Sequence, residues 1–473
     1  MTQSSQRVAY YYFLAAVLLF GLQIAFGFMT VAKYLGPDPL IDVFHFGTSK
    51  AIHTNLLLVW LLTAFMGAAY YMVPEESRTE LHSEKLAYVQ LGIWLAAGVI
   101  TILCYLLGIT EGRKLLEMPT ILKYGVVVVM LMFLWNLFMT MRKTGRWTTT
   151  EAVLLGGLVS TALLFLPALV HFDDFTLDRY YRWWVVHLWV EGVWELIMGA
   201  LLAFLLIRLS GADREVLEKW LYVIVGFTFL SGILGTGHHY YWIGAPAYWL
   251  WIGGFFSALE PLAFLAMTVY AYNVLRRSRL GHPNTLALHW TVGSSILATL
   301  GAGILGFAHT WPSVNQWTHG THVTTMHGHM AFFGAYVMIS LAMITYALPG
   351  LTGRTDEERQ TKLGLLAFWL MVGGMFGMTM AMAAAGITQT YLERILGLGY
   401  LDTQLKIQVH YLMWLGTGLI FASGVACFIW DFVSAGLPPA ARGALEAAPA
   451  PAGAPGPEAG PPAGEPAPAP SPA

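Results

Sequence analysis

The stretch V-V-H-L-W-V-E-G-V-W-E-L (185–196) is apolar enough to lie in a bilayer, yet it carries His187, Glu191 and Glu195. Ionisable groups inside a membrane span are costly and are retained where they do chemistry. On an α-helix a four-residue spacing drifts by only ~40° per step, so the three side chains share one face. A face with two carboxylates cannot point at lipid. Either neighbouring helices satisfy it as a polar stripe, or it binds an ion. The next apolar run ends in G-T-G-H-H-Y-Y (235–241), where His238 and His239 offer matching donors. Adjacent residues differ by ~100° around a helix. Two such histidines converge on one ion only where a helix end loosens, and Gly235 and Gly237 stand at that end. His187, Glu191, His238 and His239 thus make a candidate N₃O cage for one metal, a donor set better suited to iron(II) than to copper(I).

The rest of the chain agrees with a membrane setting. Of 473 residues, 57% are hydrophobic and 11% charged, against about 25% charged in a soluble domain. Twelve apolar runs approach the ~20 residues that cross a bilayer: 8–32, 50–73, 86–108, 120–141, 150–171, 180–209, 215–238, 246–275, 284–309, 322–348, 361–386 and 406–434. The expectation is an all-α polytopic membrane protein of twelve transmembrane helices over 1–435. The Pro, Ala and Gly-rich tail 436–473 cannot bury a core and is expected to be a disordered cytoplasmic segment. The first run opens near Val8 with almost no basic leader, so no cleavable signal peptide is expected. A net charge of −2 gives no reason to expect nucleic acid. Cys104 and Cys427 lie in apolar runs outside any C-x-x-C-H motif, so a haem here would be held by histidine and not by thioethers.

Basic residues set the orientation. Sixteen of the 25 Lys and Arg fall at the termini and in the turns on one side. The positive-inside rule places those segments, and both termini, in the cytoplasm. His53, His187, His238, His239, His327 and His329 then all fall at similar depth, toward the outer face.

M-H-G-H-M (326–330) puts His327 and His329 two residues apart, about 200° around a helix. They face opposite sides, so one helix can serve two haems. Gly328 between them leaves room for macrocycles, and His53 can supply a second axial ligand. A haem with two axial histidines is saturated and suits electron transfer, whereas one with a single histidine keeps an open position. His309, His319 and His322 are expected outside, close to the haem edges. His82, His282 and His289 are expected near cytoplasmic ends, and His410 has no assigned role. Glu260, in S-A-L-E-P-L (257–262), is a carboxylate within an apolar run and can carry protons toward the metals with Glu195. Glu117, in an outer turn, is on its own an ordinary loop carboxylate.

Together the segments H-T-N-L-L-L-V-W-L-L (53–62), H-L-W-V-E-G-V-W-E-L-I-M-G-A (187–200), G-T-G-H-H-Y-Y-W-I-G-A-P (235–246), S-A-L-E-P-L (257–262) and H-G-H-M-A-F-F-G-A-Y (327–336) resemble the catalytic subunit of cytochrome-c-dependent nitric oxide reductases, in the haem-copper oxidase superfamily. The resemblance spans nearly the whole chain apart from the tail. It implies a twelve-helix haem-copper oxidase-like bundle in the bacterial inner membrane, with the active site toward the periplasm. It implies two haems b, the low-spin one ligated by His53 and His329 and the high-spin one by His327. Non-haem iron would be held by His187, Glu191, His238 and His239. Glu191, Glu195 and Glu260 would serve catalysis and proton supply, and Glu117 would ligate a calcium ion. The turn before Glu117 is short for that family, and Tyr240 and Tyr241 stand where phenylalanines are expected. The implied partner is a membrane-anchored cytochrome c subunit on the periplasmic side, and the implied reaction turns two NO into N₂O and water.

Three rivals follow from the same residues. A C-family oxygen reductase would carry copper in the cage and an active-site tyrosine, and Tyr240 and Tyr241 keep it open. A quinol-fed nitric oxide reductase would normally carry a long extracellular domain ahead of its helices. A haem b conduit or transporter would leave the cage unexplained.

Overall fold

The computed structural model describes residues 3–36, 43–259, 261–278, 284–355 and 361–439. Every regular element among them is helical. Eleven helices are long and apolar enough to cross a membrane: Ser4–Ala32, Phe46–Ser77, Glu84–Leu106, Thr120–Arg142, Thr149–Leu169, Phe175–Ser210, Arg214–Tyr240, Thr285–Thr310, His322–Thr352, Lys362–Ile395 and Gln408–Ser434. The chain is thus a multi-pass membrane protein. The eighth of the twelve expected runs is present as two shorter helices, Tyr248–Phe256 and Pro261–Ser278. Pro261 opens the second piece, where a proline fits because its missing N–H would have no partner there. Glu260, His282 and the tail beyond residue 439 lie outside the described residues.

Burial sorts the spans by role. The helices carrying His53, His187 and His327 have 83%, 83% and 78% of their most apolar window buried, against 28% for Glu84–Leu106. These three ligand-bearing helices are therefore the innermost, while Arg214–Tyr240, which ends in His238 and His239, is 44% buried. In a bilayer the packing of apolar helices comes from close approach rather than from expulsion of water. Glycines permit that approach where it matters. A Cβ on Gly301 would lie 2.5 Å from the Met330 carbonyl carbon, and one on Gly334 would lie 2.3 Å from that of Leu297. Thr285–Thr310 and His322–Thr352 therefore meet backbone to backbone.

Four of the helices around the proposed ligands do not keep the α repeat. Single π turns interrupt them at Trp189–Val193, Thr228–Gly232, Thr299–Leu305 and Phe333–Val337. A π turn closes i→i+5 and takes one extra residue, so it re-aims side chains and releases carbonyls from the α ladder. All four lie on helices that carry or pack against the proposed ligands.

Candidate metal centre

His187 sits fully buried two residues before the Trp189–Val193 turn. Its Nε2 lies 3.0 Å from the Gly232 carbonyl oxygen, which fixes the ring and turns Nδ1 inward. That Nδ1 has no hydrogen-bond partner in the protein, although it is buried. A buried imidazole nitrogen without a partner is costly, and it lies 3.5 Å from Glu191 Oε2. Glu191 reaches this position from a backbone of φ −114°, ψ 23°, outside the helical range. The spacing of four residues does bring the pair together, but through a widened turn.

The second half of the cage arrives from the end of Arg214–Tyr240. There the helix tightens into a 3₁₀ segment, Thr236–Tyr240. In that geometry His238 and His239 have ring centres 4.1 Å apart, and they lie 4.8 and 4.9 Å from the ring centre of His187. His238 Nδ1 is 2.8 Å from Ser257 Oγ, so its Nε2 is turned toward Glu191 Oε2 at 3.9 Å. His239 stacks on Trp183 with ring centres 3.6 Å apart. One ligand atom from each of His187, Glu191, His238 and His239 falls within a 4.8 Å group, the one cluster of this kind among the described residues. A tetrahedral set of ~2.1 Å bonds places ligands ~3.4 Å apart, so this group is about 1 Å from closing on an ion. The inward Nδ1 of His187 and the anchored second nitrogens of His187 and His238 are what a metal cage requires.

A cavity beside the cage is lined by Glu191, Glu195, Phe264, His327, Ala331 and Tyr336, among others. His327 Nδ1 lies 3.0 Å from the Gly301 carbonyl, leaving Nε2 for a ligand bond. Glu195 accepts a 3.4 Å bond from Thr228. It lies on the wall of this cavity and outside the four-atom cluster, one turn deeper as the spacing suggests.

On the other side of the same helix lies a larger cavity of about 390 Å³. His53 and His329 face each other across it with ring centres 6.3 Å apart and planes inclined by 22°. Two imidazoles bound to opposite sides of one metal, each through a bond of about 2 Å, have ring centres about 6 Å apart. His53 Nδ1 is 2.8 Å from the Gln23 carbonyl and His329 Nδ1 is 2.9 Å from that of Thr325, so both Nε2 atoms are left to face inward. The pair fits a bis-histidine haem. Lys50, Lys114 and His322 line the same cavity. Burial, then the nearby Lys50 charge, pushes the Lys114 ammonium below the usual lysine range.

Glu117 follows closely on Lys114 and Leu115, which line this cavity. Asn55 Nδ2 donates to its Oε2 at 3.0 Å and the Leu115 N–H to its Oε1 at 2.9 Å. Ca²⁺ takes six to eight oxygens, and Glu117 belongs to no cluster of three acidic or histidine ligands among the described residues. Of the histidines expected near haem edges, His309 is held by Thr318 and Thr324, and His322 bonds Tyr411 at 2.7 Å. Tyr241 donates to the Leu250 carbonyl at 2.6 Å, and Tyr240 packs on Tyr180.

Sequence reasoning missed the groups that steer these ligands: Ser257, Trp183, Tyr336 and the carbonyls of Gln23, Gly232 and Gly301. Ser257 and Tyr336 lie inside quoted motifs, so the signal was present. A carbonyl leaves no signal in the residue letters.

Comparison with known proteins places the chain in a family. Residues 7–421 match the family described as Cytochrome C and Quinol oxidase polypeptide I. The chain is 46% identical to a nitric oxide reductase subunit of Stutzerimonas stutzeri, covering 95% of this chain and 98% of that one. It is 23% identical to a cytochrome c oxidase subunit 1 homologue of Agrobacterium tumefaciens, covering 89% and 79% of the two chains. A haem-copper terminal oxidase solved as a dimer by cryo-electron microscopy shares the fold at a TM-score of 0.71 and 16% identity, over 92% and 84% of the two chains. The chain belongs to the haem-copper oxidase superfamily and, within it, to the family of the Stutzerimonas nitric oxide reductase chain. Membership carries haem and metal cofactors, in keeping with the donor sets above.

Proposed function

We propose that the chain is the catalytic subunit of a nitric oxide reductase that converts two NO, two electrons and two protons into N₂O and water. The observation that carries this reading is a carboxylate in the cage. Glu191 stands with three histidines where a soft, purely nitrogen site would suit copper(I). A carboxylate adds negative charge and an oxygen donor, which favours iron. The 46% identity to a nitric oxide reductase chain points the same way.

In this reading His187, Glu191, His238 and His239 hold non-haem iron, His327 holds a high-spin haem b, and His53 and His329 hold a low-spin haem b. When bound, these groups supply electron transfer and coordination of NO. The protein's own part is placement and proton handling. The Gly232 and Gly301 carbonyls fix the His187 and His327 rings, so that two metals would face one cavity and bring two NO nitrogens together. Phe264, Ala331 and other apolar walls keep bulk water out of that cavity. Glu195, on the wall of that cavity, would hold a proton for the reaction, and the resemblance gives Glu260 a part in the same proton supply. Tyr240 and Tyr241 make their contacts away from the cage, with Tyr180 and the Leu250 carbonyl.

Lys50 and Lys114 face the low-spin haem position with charge suited to its carboxylates. For calcium, Glu117 offers one carboxylate whose two oxygens already accept N–H bonds. The remaining oxygens would have to come from haem and partner. The partner is a membrane-anchored cytochrome c subunit on the periplasmic side of the inner membrane. Both termini of this chain face the cytoplasm, and residues 1–435 are the catalytic unit.

The test is turnover of the purified protein, with its native partner, under reduced cytochrome c. NO consumption with half a mole of N₂O per NO is expected. Oxygen reduction without NO consumption would contradict the reading and favour an oxidase.

A further inference from the structure

Glu191 owes its position to a π turn, and that turn has a clamp. In an α-helix the Trp194 N–H would bond the Val190 carbonyl. Here it bonds the carbonyls of Trp189 and Gly192 instead, which releases Val190 from the helix ladder. A released carbonyl inside a membrane protein must find another donor. The Tyr336 hydroxyl supplies it, donating to the Val190 oxygen from a helix almost 150 residues away. Tyr336 itself belongs to the Phe333–Val337 π turn, so two irregular turns are locked together by one bond. Val190 is the residue immediately before Glu191. Val190, Glu191 and Tyr336 all line the cavity shared with His327. Trp194 packs edge-on against the Tyr336 ring at 5.5 Å and holds it in place.

We propose that Tyr336 is the positioning residue for the metal ligand Glu191. Its hydroxyl pins the turn at Val190 and so keeps the carboxylate at the cage. Its role is distinct from that of the ligands: the Tyr336 hydroxyl bonds a backbone carbonyl and acts through the backbone. The inference rests on the reading of the cage as an iron site.

The experiment uses the purified holoenzyme and measures two quantities: the ratio of non-haem iron to haem, and the half-time of iron loss to a ferrous chelator. Tyr336→Phe removes one hydroxyl and keeps the ring that packs on Trp194. The control is Ser294→Ala, because Ser294 donates to the Gly334 carbonyl at 2.7 Å and steadies the same π turn without touching Val190. Outer groups that orient ligands alter metal affinity by ~10–100-fold. The expected result is iron loss ~10-fold faster in Tyr336→Phe, with both haems retained and Ser294→Ala at the parent rate. Parent-like iron retention in Tyr336→Phe would overturn the proposal. So would parallel loss of haem and iron, or an equal effect of Ser294→Ala, because each marks a general loosening of the bundle. A parent protein that holds haem but no non-haem iron would defeat the iron reading itself.

Discussion

Gly232 has no side chain at a point where one would strike the metal-binding turn. A Cβ there would lie 2.6 Å from the Glu191 carbonyl oxygen, while the Gly232 carbonyl holds His187. Gly232→Ala must therefore push apart the two halves of the cage. Overpacking of this kind costs about 1–3 kcal/mol, and lowered iron content with a lowered melting temperature is expected. Unchanged values of both would show that the two turns do not touch as described. Glu191→Ala removes a ligand outright. Its non-haem iron and NO turnover should be lost while both haem spectra persist, and loss of haem would argue against the assignment. His53→Ala should abolish the six-coordinate haem signal and leave a five-coordinate one that still binds CO. The residue letters revealed these side chains because a histidine or glutamate in an apolar run stands out at once. They did not reveal Gly232 or Gln23, whose contribution is a carbonyl.

Elements decide what those residues can do. An α repeat predicts that His187, Glu191 and Glu195 share one stripe, and that His238 and His239 splay by ~100°. The protein keeps the shared stripe and brings the histidine pair together at the loosened helix end with one device, a local change of helix pitch. A π turn carries Glu191 and a 3₁₀ segment carries the histidine pair. Sequence periodicity reads only the average repeat, so pitch changes of one turn are invisible to it. The neighbouring glycines were the visible trace. Gly253 backs the 3₁₀ segment so closely that a Cβ would lie 2.1 Å from the His238 backbone nitrogen. Gly253→Ala should displace the His238–His239 segment and reduce iron loading, measured as iron per haem. An iron to haem ratio equal to that of the parent would mean that this contact does not set the cage.

At the scale of the molecule, hydropathy located eleven spans, and the eighth run was legible as apolar but not as broken. Which helices are innermost was not legible, because nearly every span is apolar on all sides. Burial supplies that answer and places the helices of His53, His187 and His327 at the centre. In the proposed orientation, with the sites and the donor both on the outer side, electrons and protons would enter from the same side. Reconstituted in liposomes, the protein should turn over NO without building a membrane potential, and a potential recorded by a voltage-sensitive dye would refute that arrangement. Beneath all of these lies one statement of composition: a single chain holds two haems and a third, non-haem metal that is iron. Haem extraction with metal analysis of the purified protein decides it. Two haems b and one further iron per chain are expected, with copper absent; copper in equal amount to the chain, or no metal beyond the haems, would contradict it.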